Sequence, residues 1–213
     1  YDLEATKTSG LVNLLLAERE RPRCDVFWNN EMIQTQVLKE AGILDPYISP
    51  SARTIPEEFK DPQGFWTGFA ARIRVILTHR PSVGQDRPNS LKDLGDPRWK
   101  GRAAMARPLF GTTLTHMVCL SQSQGPQALE ALLRTVQENQ VQILDGNSVV
   151  KDQVARGEVA WGYTDSDDAN VAVLSGAPVE MIVPDQDGPG TLVIPNTVAM
   201  LKGCPHPEEA RRL

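Results

Sequence analysis

Apolar residues recur along this chain with two periods, and the alternation between them lays out its elements. Leu11, Leu14 and Leu15 fall at helical spacing behind Thr8 and Ser9, good N-cap types, and Pro22 ends the segment. Asp25-Val26-Phe27-Trp28 reads as a short strand. Ile33, Val37 and Leu38 mark a second helix, which Gly42 closes in the position of a left-handed cap. Over residues 70–78 the period falls to two. Ile73, Val75 and Leu77 alternate with Arg72 and Arg74, which predicts a strand with one wet face.

Beyond a polar loop at 81–89, Ser90-Leu91-Lys92-Asp93-Leu94 reads as a short capped helix and residues 102–106 as an apolar strand. Gly111-Thr112-Thr113 opens a helix through Leu120. Leu129, Leu132, Leu133 and Val136 stripe another, and residues 141–144 form a strand. Asn147-Ser148 caps a helix through Arg156, residues 159–163 are a strand, 166–174 a helix and 179–183 a strand. Helix and strand alternate throughout, which predicts an α/β fold with a largely parallel sheet. The loop at 81–89 and the stretch at 184–190 punctuate the chain.

Composition narrows the classes of function. Hydrophobic residues make up 40% and charged residues 23%, the balance of a globular chain and not of a disordered one. The net charge of −5 has the wrong sign for nucleic acid or an anionic membrane, and 6% aromatics supply no series of stacking platforms. No apolar run approaches a membrane span. The chain starts at Tyr1 and stops at Leu213 in a helical pattern, so it reads as a piece of a longer protein whose targeting segment lies elsewhere.

Phosphate-loop, dinucleotide-binding, zinc-protease and serine-hydrolase signatures are all missing from the sequence. Cys24, Cys119 and Cys204 lack metal-ligand spacing. They read as small core residues, with one disulfide and one odd thiol as the alternative. His79, His116 and His206 are unpaired, and nothing nominates a nucleophile and its base. No catalytic residue is expected.

Four loops that follow strands or open helices carry the candidate chemistry, because ligands of open α/β sheets sit beyond the strand ends. Glu31, in Trp28-Asn29-Asn30-Glu31, either ligates a cation or occupies a helix's first turn. Gly111, Thr112 and Thr113 form either an anion-binding nest or an ordinary cap, and Asn147-Ser148 carries the same ambiguity. Asp165-Ser166-Asp167-Asp168 crowds three acids into four residues. That crowding suits a metal or an ammonium-bearing ligand, or else a capped, solvated helix start. The stretch Asp185-Gln186-Asp187-Gly188 reads as a plain hinge loop.

A series of segments in order carries a resemblance. It comprises Asp25-Val26-Phe27-Trp28, Trp66-Thr67-Gly68 before Arg72-Ile73-Arg74-Val75, Ser90-Leu91-Lys92-Asp93-Leu94 and Trp99-Lys100-Gly101. It continues through Gly157-Glu158-Val159-Ala160-Trp161-Gly162, Ile194-Pro195-Asn196-Thr197 and His206-Pro207-Glu208-Glu209-Ala210. Together they resemble the extracellular solute-binding proteins of ABC importers, most closely the ferric-iron-binding group of type II periplasmic binding proteins.

The resemblance implies a two-lobed α/β fold without catalysis, here a fragment lacking the first strand and the C-terminal helices. Lobe 1 would hold residues 1–76, lobe 2 residues 77–190, and residues 191–213 would return to lobe 1. It also implies capture of a ferric ion or similar cation, with a synergistic anion, in an interlobe cleft that closes by a hinge. Fe(III) would be cargo, with no resident cofactor. By the resemblance Glu31 matches a carboxylate ligand of the metal, Gly111, Thr112 and Thr113 the loop that holds the anion, and Asn147 a polar cleft residue. On this chain's own residues, Asp167 and Asp168 would join Glu31 on the metal, Asp165 would add a further oxygen, and Ser9 would join the anion side. Where the iron group carries two adjacent tyrosines, this chain has Asp167-Asp168.

The implied partner is an ABC permease in the inner membrane. No nucleic acid partner is expected, the protein would be a monomer, and its location would be periplasmic or extracellular, with a membrane anchor outside these residues left open. Two alternatives stand beside this reading. One is a binding protein for a small organic solute such as an aminophosphonate or polyamine. The other is the ligand-sensing module of a regulator.

Overall fold

The computed structural model describes residues 7–213, and the chain start at Tyr1 lies outside them. In chain order the elements are α1 (Lys7–Ala17), β1 (Val26–Asn29), α2 (Ile33–Glu40), β2 (Leu44–Asp45), β3 (Thr67–His79) and α3 (Arg80–Val83). Next come β4 (Ala103–Ala106), α4 (Gly111–Gln124), α5 (Pro126–Glu138), β5 (Gln142–Leu144) and α6 (Asn147–Ala155). The chain ends with β6 (Trp161–Asp165), α7 (Ser166–Leu174), β7 (Val179–Ile182), β8 (Val193–Leu201) and α8 (Pro207–Arg212). Two compact units result. Among the described residues, unit 1 contains 7–71, 110–115 and 194–213, and unit 2 contains 72–109 and 116–193.

In unit 1, β8 lies between β1 and the start of β3, with β2 also pairing β8. Val12 and Leu15 of α1 and Leu38 of α2 pack with Phe27, Trp66, Ala199 and Leu201 into one core. The alternation of β1 sends Phe27 into that core and Trp28 to the other face, where Trp28 is 58% exposed and lies 4.2 Å, centroid to centroid, from the Phe69 ring. A cavity of about 270 Å³ opens there, walled by Val26, Phe69, Val198 and Met200.

In unit 2 the strand order is β7-β3-β6-β4-β5, and both faces are clad. Ile76, Met105, Trp161 and Tyr163 pack on one side with Met117 of α4 and Val136 of α5. Val75, Leu77, Ala104 and Ala106 pack on the other with Val150 and Val154 of α6 and Ala169 of α7. Full burial of both faces by apolar side chains is what holds this sheet together, at about 25 cal/mol per Å² removed from water.

Two features of the sequence reading are corrected. The sheet is not largely parallel: β4 runs parallel to β5 and β6, while β1 and β2 run against β8, and β6 and β7 against β3. The long strands β3 and β8 reverse direction relative to their neighbours, which helix–strand alternation along the chain does not reveal. Nor does β3 have a wet face over residues 74–78. Val75, Ile76 and Leu77 are all buried, and so are Arg74 and Thr78. Both faces of β3 meet protein there, Ile76 in one core and Val75 and Leu77 in the other.

Candidate functional site

In unit 1 the end of β1 enters α2 through a tight polar knot. Glu31, 1% exposed, lies two residues before the first residue of α2. Its Oε2 accepts the Ile33 N–H at 2.6 Å and the Thr115 hydroxyl at 2.8 Å. Its Oε1 accepts the Gln34 N–H at 3.1 Å and Asn29 Nδ2 at 2.9 Å. Four donors match the roughly four lone-pair positions of a carboxylate. Asn29 Nδ2 also donates to the Glu31 carbonyl at 2.7 Å. Thr35 and Thr197 share a 2.7 Å hydrogen bond beneath it. Glu31 therefore caps α2 and ties the second turn of α4 to it, so ligating a cation would require displacing an internal donor.

Around this knot the starts of α1 and α4 are neighbours. Lys7 Nζ lies 4.0 Å from the Phe110 ring centroid, and Thr8 Oγ1 lies 3.4 Å from Asn30 Oδ1. Gly111 opens α4 at φ 60°, a left-handed conformation that favours glycine. Thr112 and Thr113 follow inside the first turn, both buried, and neither precedes the helix as a cap would. The Thr113 hydroxyl is buried without a hydrogen-bond partner. Ser9, partly buried, sits in the first turn of α1 in this unit.

Unit 2 holds the acids. The β3–β6 register sets Arg74 opposite Asp165. Both are buried, at 0% and 1% exposure, and Arg74 Nη1 donates to the Asp165 carboxylate. Asn147 completes a triangle, its Oδ1 accepting from Arg74 at 3.2 Å and its Nδ2 donating to Asp165 Oδ2 at 2.8 Å. Asp165 holds the N-cap position of α7 without capping it through its side chain, and Gly146, not Asn147, is the N-cap of α6. Burial beside a guanidinium overrides the capping role.

Arg72 Nη1 meets Asp167 at 2.9 Å and Asp165 at 3.8 Å. Oxygens of Asp165, Asp167 and Asp168 all lie within 4.8 Å of one another. Burial first, then the charges of Asp167 and Asp165, push the Asp168 carboxyl up to about 6. Behind Asp165, the Arg74 guanidinium lies 5.0 Å from the Tyr163 ring centroid, and His116 stacks on the same ring at 5.5 Å. Burial, and then the Arg74 charge, push His116 down to about 3, and burial pushes the Tyr163 phenol up to about 12.

The structure thus gathers Asn147, Asp165, Asp167 and Asp168 in unit 2. It gathers Glu31 with the start of α4 in unit 1. The residues that sequence reasoning missed are Arg72 and Arg74, taken as the wet face of β3. The signal was available: Val75-Ile76-Leu77 is a continuous apolar run, the mark of a strand buried on both faces. Two basic residues entering such a strand need acidic partners.

The two α/β units match the architecture of solved type II periplasmic binding proteins. Iron-bound HitA from Pseudomonas aeruginosa shares this fold at a TM-score of 0.87 with 25% identity, over 96% of this chain and 67% of that one. Residues 25–213 match the bacterial extracellular solute-binding protein family, and the chain belongs to it. Iron uptake protein A1 of Synechocystis sp. is 25% identical over 96% of this chain, and the Fe(3+)-binding periplasmic protein of Serratia marcescens is 28% identical over 72%. The chain spans 59% and 45% of those two relatives. Among the described residues, no helix is long and apolar enough to cross a membrane.

Proposed function

We propose that this chain is the ligand-binding part of a solute-binding component of an ABC importer, capturing a ferric ion or similar cation outside the inner membrane for delivery to a permease. The observation that carries the reading is the Asp165–Asp167–Asp168 trio, whose oxygens crowd within 4.8 Å. Burial first, and then this crowding, raise Asp168; a cation would relieve the crowding, and carboxylates are hard ligands suited to Fe(III). The iron-named relatives support the same cargo. Within unit 1, the start of α4, with the buried Thr113 hydroxyl and the adjacent first turn of α1, offers groups suited to an oxyanion.

A second cargo is favoured by one observation. Arg72 and Arg74 stand beside the trio, so two guanidiniums against three carboxylates leave about one net negative charge. That balance suits a single ammonium group better than a trivalent ion, as in an aminophosphonate or polyamine.

Thermal melting with ferric citrate, 2-aminoethylphosphonate and putrescine separates the two. A rise in Tm with ferric citrate that the Asp167→Ala/Asp168→Ala variant loses supports the metal. A rise with the amines alone supports the organic solute. No shift with any of the three, or an equal shift in the variant, removes the trio from the site.

A further inference from the structure

β8 folds back on itself directly after its last residue. The Cys204 N–H donates to the Leu201 carbonyl at 3.3 Å, and Gly203, at φ 73°, supplies the left-handed corner that such a turn requires. The same segment is bonded to β1's approach on both sides of Cys204. Before it, the Leu201 N–H donates to the Asp25 carbonyl at 2.9 Å. After it, the His206 N–H donates to the Asp25 carboxylate at 2.6 Å, and His206 Nδ1 lies 3.2 Å from the other carboxylate oxygen. Cys24 is Asp25's neighbour in the chain. Cys24 and Cys204 pack against one core cluster and are both partly buried free thiols. The third cysteine, Cys119, lies on α4 within unit 2.

We propose that Cys24 and Cys204 form an intramolecular disulfide that staples the approach to β1 to the turn after β8. The family is extracellular, where disulfides persist. The chemistry is exchange with a small disulfide such as oxidised glutathione. One cysteine thiolate attacks a glutathione sulfur and releases one glutathione thiolate. The second cysteine thiolate then attacks the protein sulfur of the mixed disulfide and releases the other. Two protons leave the protein thiols, and two electrons end on two reduced glutathiones.

Both thiols are raised above their usual value, Cys24 by burial and then by Glu18 and Asp25, Cys204 by burial and then by Asp25 and Asp45. Closure is therefore slow at neutral pH and accelerates about tenfold per pH unit as thiolate appears.

The test is equilibration of the folded chain with a glutathione redox buffer at pH 8.5, alkylation of remaining thiols, and mass spectrometry of the digest. The expected result is a cross-linked Cys24/Cys204 peptide, an intact mass lower by about 2 Da, and alkylated Cys119. The cross-link joins residues far apart in sequence, so the oxidised protein should melt roughly 5–15 °C higher than the reduced one. Cys119→Ala should keep both the cross-link and the gain, and Cys24→Ser should abolish them. Three alkylated thiols after equilibration, or a cross-link through Cys119, overturns the proposal. Neither result bears on the cargo, because no ligand enters the assay.

Discussion

Glu31 and Asp165 are both carboxylates at 1% exposure, one in each unit, and the chain satisfies them by opposite means. Glu31 is held by neutral donors: two backbone N–H groups, an amide and a hydroxyl. Among the described residues no Lys, Arg or His forms an ion pair with it. Asp165 is held by guanidinium groups and an amide, so its charge is balanced where it lies. A dipole cage leaves the negative charge in place and fixes local backbone, which is why Glu31 reads as the clip that starts α2. A charge-paired knot cancels the charge and fixes strand register, since Arg74 and Asp165 face each other across β3 and β6. The two devices fail differently when one partner is removed.

The largest effect should follow Arg74→Met. It strands a buried carboxylate, so unfolding in urea should show a loss of about 3–5 kcal/mol at unchanged m-value. A loss under 1 kcal/mol would mean that the Asn147 amide and the Arg72 guanidinium can hold Asp165 without Arg74.

The next effect is pH-dependent. His116 is lowered from its usual 6.5 to about 3, so the unfolded chain binds a proton that the folded chain refuses between those values. Stability should be fully present above pH 6.5 and fall by about 1.4 kcal/mol per pH unit below it, down to about pH 3. His116→Phe keeps the stack on Tyr163 and should flatten that slope in melting curves between pH 4 and 7. An unchanged slope would place the titrating group elsewhere.

Glu31→Gln should cost less, about 1–2 kcal/mol, because it sets an amide donor against N–H and hydroxyl donors without stranding a charge. Should it cost as much as Arg74→Met, the contrast between cage and ion pair disappears.

The smallest effect should be a gain. Asp168 is raised to about 6, so its ionisation in the folded state opposes stability as pH climbs from about 4 past 6. Asp168→Asn should therefore raise the melting temperature slightly at pH 7.5 and not at pH 4.

Much of this contrast was readable from the chain in outline only. The α7 segment at 166–174 matched because Ser166 and two acids open it ahead of Ala169 and Ala172, whose small side chains face the sheet. β6 instead runs over Trp161–Asp165, two residues later than the apolar pattern suggested, because pairing with Arg74 carries the strand onto Asp165. That partner lies 91 positions away in sequence, beyond any local pattern. The acids at 165–168 were legible as a cluster, while the arginines that set their charge were not. Alternation on β3 pointed Arg74 to water, and only the neighbouring strands turn it inward.

The exposed Trp28 on the open side of the unit 1 sheet has a spectroscopic consequence. Of the four tryptophans, Trp66, Trp99 and Trp161 are buried, so acrylamide should quench Trp28 ahead of the others. Its long-wavelength emission becomes an intrinsic beacon for whatever settles on that face. The blue-shifted remainder reports the interiors of both units.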